Sequence, residues 1–160
     1  METEWRTLPE QPTAVMHARL YHNEVHAWFR TVFDVVAEYL RRNDIVPSGF
    51  PFARYHLRLD DAFDVEAGFP VAVRIEGTNL IRPSRLPAGR VIVAWHIGGY
   101  EQLGDAYKAV DDWLKEHHGT RTGDSWEVYH GPNHRADNDS TEVIQPFALQ
   151  PDYAGAGAPS

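Results

Sequence analysis

From Val25 onward the apolar residues Val25, Trp28, Phe29, Val32, Phe33, Val36 and Leu40 recur at steps of three and four. That period lines them along one face and predicts an amphipathic helix. Asn23 is a suitable N-cap, and the helix should end near Arg42-Asn43, before Pro47-Ser48-Gly49. A second helix is predicted by Leu103, Ala106, Tyr107, Val110, Trp113 and Leu114, with Gly119 where a left-handed C-terminal cap is wanted. Elsewhere the period shortens to two, the signature of a half-buried strand. Strands are predicted at Thr13–Leu20, Phe50–Leu59, Phe63–Val73 (a hairpin partner across Asp60-Asp61), Gly89–Ile97, Asp124–His130 and Thr141–Phe147. Residues 1–12, with Pro9 and Pro12, read as a lead-in, Gly77–Pro87 as a loop, and residues 149–160 as a disordered tail.

The order strand, helix, strand, strand thus occurs twice, and the two copies are related by a constant offset. Tyr129 follows Tyr55 by 74 positions (129 − 55). The same step carries His22 to His96, Phe33 to Tyr107, Val36 to Val110, Tyr39 to Trp113, Phe52 to Trp126 and His56 to His130. In the closing strands the step is 76, taking Glu66 to Glu142 and Pro70 to Pro146. The expected fold is α+β: tandem βαββ units at about 13–73 and 89–148 within one domain of residues 13–148. The expected architecture is an antiparallel sheet backed by two helices. Two such units can pair about a pseudo-two-fold axis and leave a cleft, an ordinary place for a small ligand.

One strand breaks the pattern. Trp126-Glu127-Val128-Tyr129 holds a carboxylate between aromatic and β-branched neighbours, where strands disfavour charge. Local violations of this kind tend to fall at functional sites. The 74-residue step pairs Glu127 with Ala53, so the shared framework does not require a charge there. Alternation places Ser125, Glu127 and Tyr129 on one face, matched by Ala53, Tyr55 and Leu57 in the first unit. The plainer reading is a carboxylate near a strand end that reaches water, paired with Arg54 or Arg58.

Composition narrows the classes. The 160 residues contain no cysteine, which removes disulfides, thiolate metal sites and thiol nucleophiles. The net charge of −8 argues against nucleic acid as a direct partner, because phosphate contacts need clustered Lys and Arg. No apolar run approaches the length of a membrane span, and the first residues lack a signal-peptide pattern. A cytoplasmic protein without membrane contact is expected. His22 and His26 have helical spacing, but the pattern is not His-Glu-x-x-His, and no metal or other cofactor is expected.

Taken in order, His96-Ile97-Gly98-Gly99-Tyr100, Tyr107, Trp113-Leu114, Trp126-Glu127-Val128-Tyr129 and Thr141-Glu142-Val143-Ile144-Gln145-Pro146 resemble the GyrI-like (gyrase-inhibitor-like) small-molecule-binding domains. Asp64-Val65-Glu66-Ala67-Gly68-Phe69-Pro70 is similar to that family's first hairpin. The resemblance runs from about residue 13 to 148. It includes the effector-binding domains of multidrug-sensing bacterial transcription activators. It implies a tandem βαββ fold, a central aromatic pocket and a buried ligand-facing glutamate at Glu127. No helix-turn-helix segment precedes residue 13, so a complete activator is not expected.

Aromatic walls accept many flat ligands, since stacking needs little hydrogen-bond register, and their faces attract cations. The expected function is binding of flat lipophilic, often cationic, aromatic molecules in a cleft anchored by Glu127. Trp126, Tyr129, Tyr55, Trp95, Phe52, Phe50 and Tyr100 are the candidate lining, and Trp28, Tyr107 and Trp113 are assigned to the core. Two alternatives remain open. Some GyrI-like proteins are hydrolases of cyclopropane-bearing DNA-alkylating compounds, and a carboxyl in an apolar site, here Glu127 beside Tyr129, can act as general acid or base. The chain can also be read as an inhibitory interaction module for a protein partner such as DNA gyrase.

Overall fold

The computed structural model of the chain describes residues 2–98, 103–131 and 140–151. Among these, nine strands and two helices follow in the order β1 (Thr3–Leu8), β2 (Gln11–Leu20), α1 (Val25–Arg42), β3 (Phe52–Leu57), β4 (Phe63–Pro70), β5 (Arg82–Leu86), β6 (Gly89–Ile97), α2 (Gly104–Glu116), β7 (Gly119–Arg121), β8 (Trp126–His130) and β9 (Ser140–Leu149). A 3-10 turn, His22–Glu24, leads into α1. Both helices carry the apolar stripe that the periodicity predicts: Val25, Phe29, Val32, Phe33, Val36 and Leu40 on α1 are buried, as are Ala106, Val110 and Leu114 on α2.

All strand pairs are antiparallel, in the order β1-β6-β9-β8-β3-β4-β2-β5, with β7 beside β9. The order reads alike outward from the central β3–β8 pair: β4 then β2 on one side, β9 then β6 on the other. The edge strands are exchanged between the halves. β1 leads into β2 through Pro9-Glu10 but pairs with β6, and β5 leads into β6 through Pro87-Ala88 but pairs with β2. Each half is therefore completed by a strand that belongs to the other in sequence.

This corrects two expectations. Residues 1–12 are not a lead-in, because Thr3–Leu8 is an edge strand and β2 already begins at Gln11. Gly77–Pro87 is not wholly a loop, because Arg82–Leu86 pairs along β2. Pro83 is tolerated there because an edge strand leaves alternate N–H groups unpaired. Two capping assignments also change. The turn before α1 is capped at Tyr21, whose N–H donates to Glu24 Oε1 at 2.7 Å, so Asn23 lies inside the turn. After α2 the left-handed residue is His118 (φ 53°). Gly119 opens β7, where a Cβ would lie 2.8 Å from Leu114 Cδ2.

Both helices cover one face of the sheet, α1 over β2 and β4 and α2 over β6 and β9. They leave the β3–β8 pair at the seam between them. Under α1 pack Ala14, Ala53, Val65, Ala67, Phe69 and Tyr129. Under α2 pack Ile92, Ala94, Val143 and Phe147. The opposite face has a core of its own: Val15, Phe52, Val91, Val93, Trp126 and Ile144. Leu8 from β1 and Leu86 from β5 pack into that same cluster, although these strands stand at opposite ends of the order. Opposite edges converge only if the sheet curls, and this curl buries apolar side chains on a face no helix covers.

Candidate functional site

Cross-strand register decides which predicted site residues share a face. Ala53 pairs directly with Glu127, and Glu127 with Val143. Period-two alternation then puts Glu127, Tyr129, Ala53 and Tyr55 toward the helices. Phe52 pairs with Val128 and Arg54 with Trp126, on the opposite face.

At the seam, Glu127 is 4% exposed. Its Oε1 accepts from Tyr129 Oη at 2.7 Å and from Tyr55 Oη at 3.3 Å. Its Oε2 accepts a short hydrogen bond from Tyr107 Oη on α2. The hydroxyls of Tyr55 and Tyr129 are themselves 3.1 Å apart. Helix α1 closes the other side, with the Phe29 and Phe33 rings 5.6 and 5.9 Å from that of Tyr129. Among the described residues no Lys, Arg or His forms an ion pair with Glu127. Arg54 donates to the Arg85 carbonyl and Arg58 pairs with Asp64, so neither neutralises it as the plainer reading expected. Burial pushes the Glu127 carboxyl above the usual carboxylate range, and the hydroxyls of Tyr107, Tyr129 and Tyr55 pull it partly back. The Thr141 hydroxyl, buried beside Tyr129 in the register, has no partner among the described residues.

The predicted aromatic lining therefore divides. Tyr55 and Tyr129 contact Glu127. Trp126 and Phe52 are buried in the opposite core, on the other face of the sheet from Glu127. Trp95 packs at the edge of that opposite core, 5.0 Å from the His130 ring, and its Nε1 donates to Glu4 at 3.5 Å. The Phe50 ring also lies against His130, 4.4 Å away. It also lines an open groove of about 820 Å³ at the end of α1, with Leu40, Ile45, Pro47 and Phe69, away from Glu127. Tyr100 lies outside the described residues. Tyr107, assigned from its helix face to the core, is instead a ligand of the carboxylate. A signal for it was present: the 74-residue step pairs Tyr107 with Phe33, so its hydroxyl, like the Glu127 carboxylate, has no counterpart in the other half.

Two further carboxylates on the opposite face differ in kind. Glu142 accepts from Arg6 at 2.7 Å and contacts His130 Nε2 at 2.6 Å. Glu66 contacts His17 Nε2 at 2.9 Å and accepts from Ser84 Oγ at 3.2 Å. Both have a basic neighbour. Arg6 and Ser84 come from the exchanged strands β1 and β5.

The sequence matches the GyrI-like small molecule binding domain over residues 1–148. The chain belongs to this family. No curated protein sequence matches it significantly. Among solved structures it is similar to the C-terminal domain of EcmrR, with a TM-score of 0.80 and 16% identity over 93% of this chain and 98% of that one. In the EcmrR–DNA complex the match has the same score and identity but spans 58% of the EcmrR chain. A hydrolase from Listeria innocua superimposes with a TM-score of 0.66 at 9% identity, over 92% of both chains. SAV2435 bound to tetraphenylphosphonium gives 0.64 at 9% identity, over 92% and 94%. At these identities the likeness is one of fold.

Proposed function

We propose that this GyrI-like domain binds lipophilic organic cations at the seam between α1 and α2. Glu127 supplies the counter-charge, and Tyr55, Tyr107, Tyr129 and Phe29 supply the aromatic surroundings. The observation that carries this reading is a buried carboxylate with no basic partner among the described residues. An unpaired buried charge costs several kcal/mol, so such a group is retained where something else supplies the opposite charge. A delocalised cation needs field and aromatic faces more than directed bonds, which suits a carboxylate whose oxygens already accept from three hydroxyls. The capture of tetraphenylphosphonium by SAV2435, a protein of the same fold, supports this ligand class. We read the two halves as copies of one βαββ unit, a reading supported by the mirrored strand order and the exchanged edge strands. In that reading Glu127, opposite Ala53, is an asymmetric feature of the seam.

The test is titration of tetraphenylphosphonium and of neutral triphenylphosphine oxide, followed by intrinsic tryptophan fluorescence. Glu127→Gln should weaken the cation at least about 10-fold, equivalent to 1.4 kcal/mol, and the neutral ligand little. Equal loss for both would refute the charge anchor.

A second reading is favoured by the raised carboxyl and its contact with Tyr129. A carboxyl that keeps its proton can serve as a general acid, and a Listeria innocua neighbour is described as a hydrolase. This reading takes a cyclopropane-bearing alkylating compound as substrate. It predicts turnover that Glu127→Gln abolishes while binding survives.

A further inference from the structure

We propose that the seam is an exchange site, in which an organic cation enters as a proton leaves Glu127, so that ligand occupancy follows pH. This rests on the cation-binding reading above and adds the proton to it.

The contrast among the three enclosed carboxylates carries the argument. Glu142 has Arg6 and His130 against it, and Glu66 has His17. Glu127 is the one that receives hydroxyls alone among the described residues. Hydroxyls satisfy hydrogen bonds but carry no net charge. A bare anion among apolar side chains is costly, so in the empty site the group is stabilised by holding a proton. When a permanent cation occupies the seam, its charge replaces that of the proton and the ionised form becomes the favoured one.

Each element packed around the group limits where else a proton can sit. Among the described residues, Tyr55 on β3, Tyr129 on β8 and Tyr107 on α2 are the titratable groups that hydrogen-bond to it, and phenols ionise far above neutrality. Strand β9 offers Val143 and Thr141, α1 offers Phe29 and Phe33, and β4 offers Val65 and Ala67, none of which titrates. The imidazole on this face is His96 on β6, opposite Thr141 in the register and one strand further from Glu127. The step balances simply: the carboxylic acid and the cation give the carboxylate–cation pair, and the proton passes to buffer. Burial, the dominant influence on Glu127, acts in the direction this exchange needs.

The experiment is calorimetric titration of the whole chain with tetraphenylphosphonium, which has no titratable group, from about pH 5 to about pH 8. At each pH it is run in buffers of different ionisation enthalpy. The expected result is release of up to about one proton per cation at the acidic end, declining toward zero as the pH passes the raised carboxyl range. Affinity should rise up to about 10-fold per pH unit over the same window. Glu127→Gln should bind with no proton release. Tyr107→Phe removes one of the bonds that pull the carboxyl down, so its release should extend to higher pH. Cation binding without buffer-dependent heat overturns the exchange and leaves the proposed function standing. Unchanged release in Glu127→Gln overturns it too, by placing the proton elsewhere. Failure of tetraphenylphosphonium to bind at every pH overturns the proposed function and the exchange together.

Discussion

Ala53 and Glu127 are direct cross-strand neighbours where β3 meets β8, and the same two residues are related by the 74-residue step. The position where the halves meet thus holds a methyl group on one strand and a carboxylate on the other. Ala53 is fully buried and supplies no charge to its neighbour, which leaves Glu127 to the three tyrosines.

The first prediction concerns stability against pH. Glu127 is raised in the folded state, so folding holds its proton through a window in which the unfolded chain has released it. Its stabilising contribution is full below the ordinary carboxylate range and is lost as pH rises toward the folded value. Glu127→Gln has no such loss. The variant should match the wild type near pH 4 and exceed it near pH 8, by about 1.4 kcal/mol for each unit of elevation. Urea denaturation at the two pH values checks this, and a constant difference would contradict it.

Tyr129 should matter more than Tyr55 for stability. Tyr129 is fully buried and donates at 2.7 Å, while Tyr55 is partly exposed and donates at 3.3 Å. Tyr129→Phe is expected to cost about 1.5–3 kcal/mol, the range for a hydrogen bond to a charged group, and Tyr55→Phe less than about 1 kcal/mol. Chemical denaturation of both variants near pH 8, where Glu127 is most ionised, measures the difference.

Trp126 separates packing from binding. It is 1% exposed in the core opposite the seam. Trp126→Phe should destabilise by about 1–2 kcal/mol, as a buried large-to-small change. Tetraphenylphosphonium affinity should stay within about 2-fold of wild type. A selective loss of cation affinity without loss of stability would return Trp126 to the site.

Arg6 ties the exchanged strand β1 to β9 through Glu142. Arg6 is one-third exposed in its side chain and Glu142 nearly enclosed. Arg6→Met should therefore cost about 1–2 kcal/mol, below the figure for a fully buried pair. Arg6→Met with Glu142→Gln should cost less than the two single changes added together, and a double-mutant cycle reads the coupling.

Gly68 is expected to tolerate no side chain. A Cβ there would stand 1.9 Å from the Ala14 carbonyl oxygen on β2. Gly68→Ala must push β2 and β4 apart, at a cost of about 3 kcal/mol or more. Thermal unfolding should show this as the largest stability loss of the set.

The helices, six of the strands and the buried position of Glu127 were legible in the chain, because each rests on local periodicity or on one residue that violates it. β1 and β5 were not. Both are short and lie beside prolines, and their partners β6 and β2 are more than 60 positions away. What makes them strands is the hydrogen-bonding edge they complete, and no local pattern records that. The division of the aromatic residues was partly legible. Alternation alone sets Trp126 and Glu127 on opposite faces, yet a strand pattern does not say that both faces are buried. The curl decides that, by bringing Leu8 and Leu86 over the helix-free side. Tyr107 shows the same limit in a helix. Its spacing places it on the apolar face, and the packing of α2 across the sheet turns its hydroxyl onto Glu127. Residue order thus determined the helices and six of the strands and marked Glu127 as a charge out of pattern, since both depend on neighbours a few positions away. The surroundings of that charge, three hydroxyls and no base among the described residues, come from β3, β8 and α2. They meet only in the folded molecule, so folding alone could raise the Glu127 carboxyl above its ordinary range.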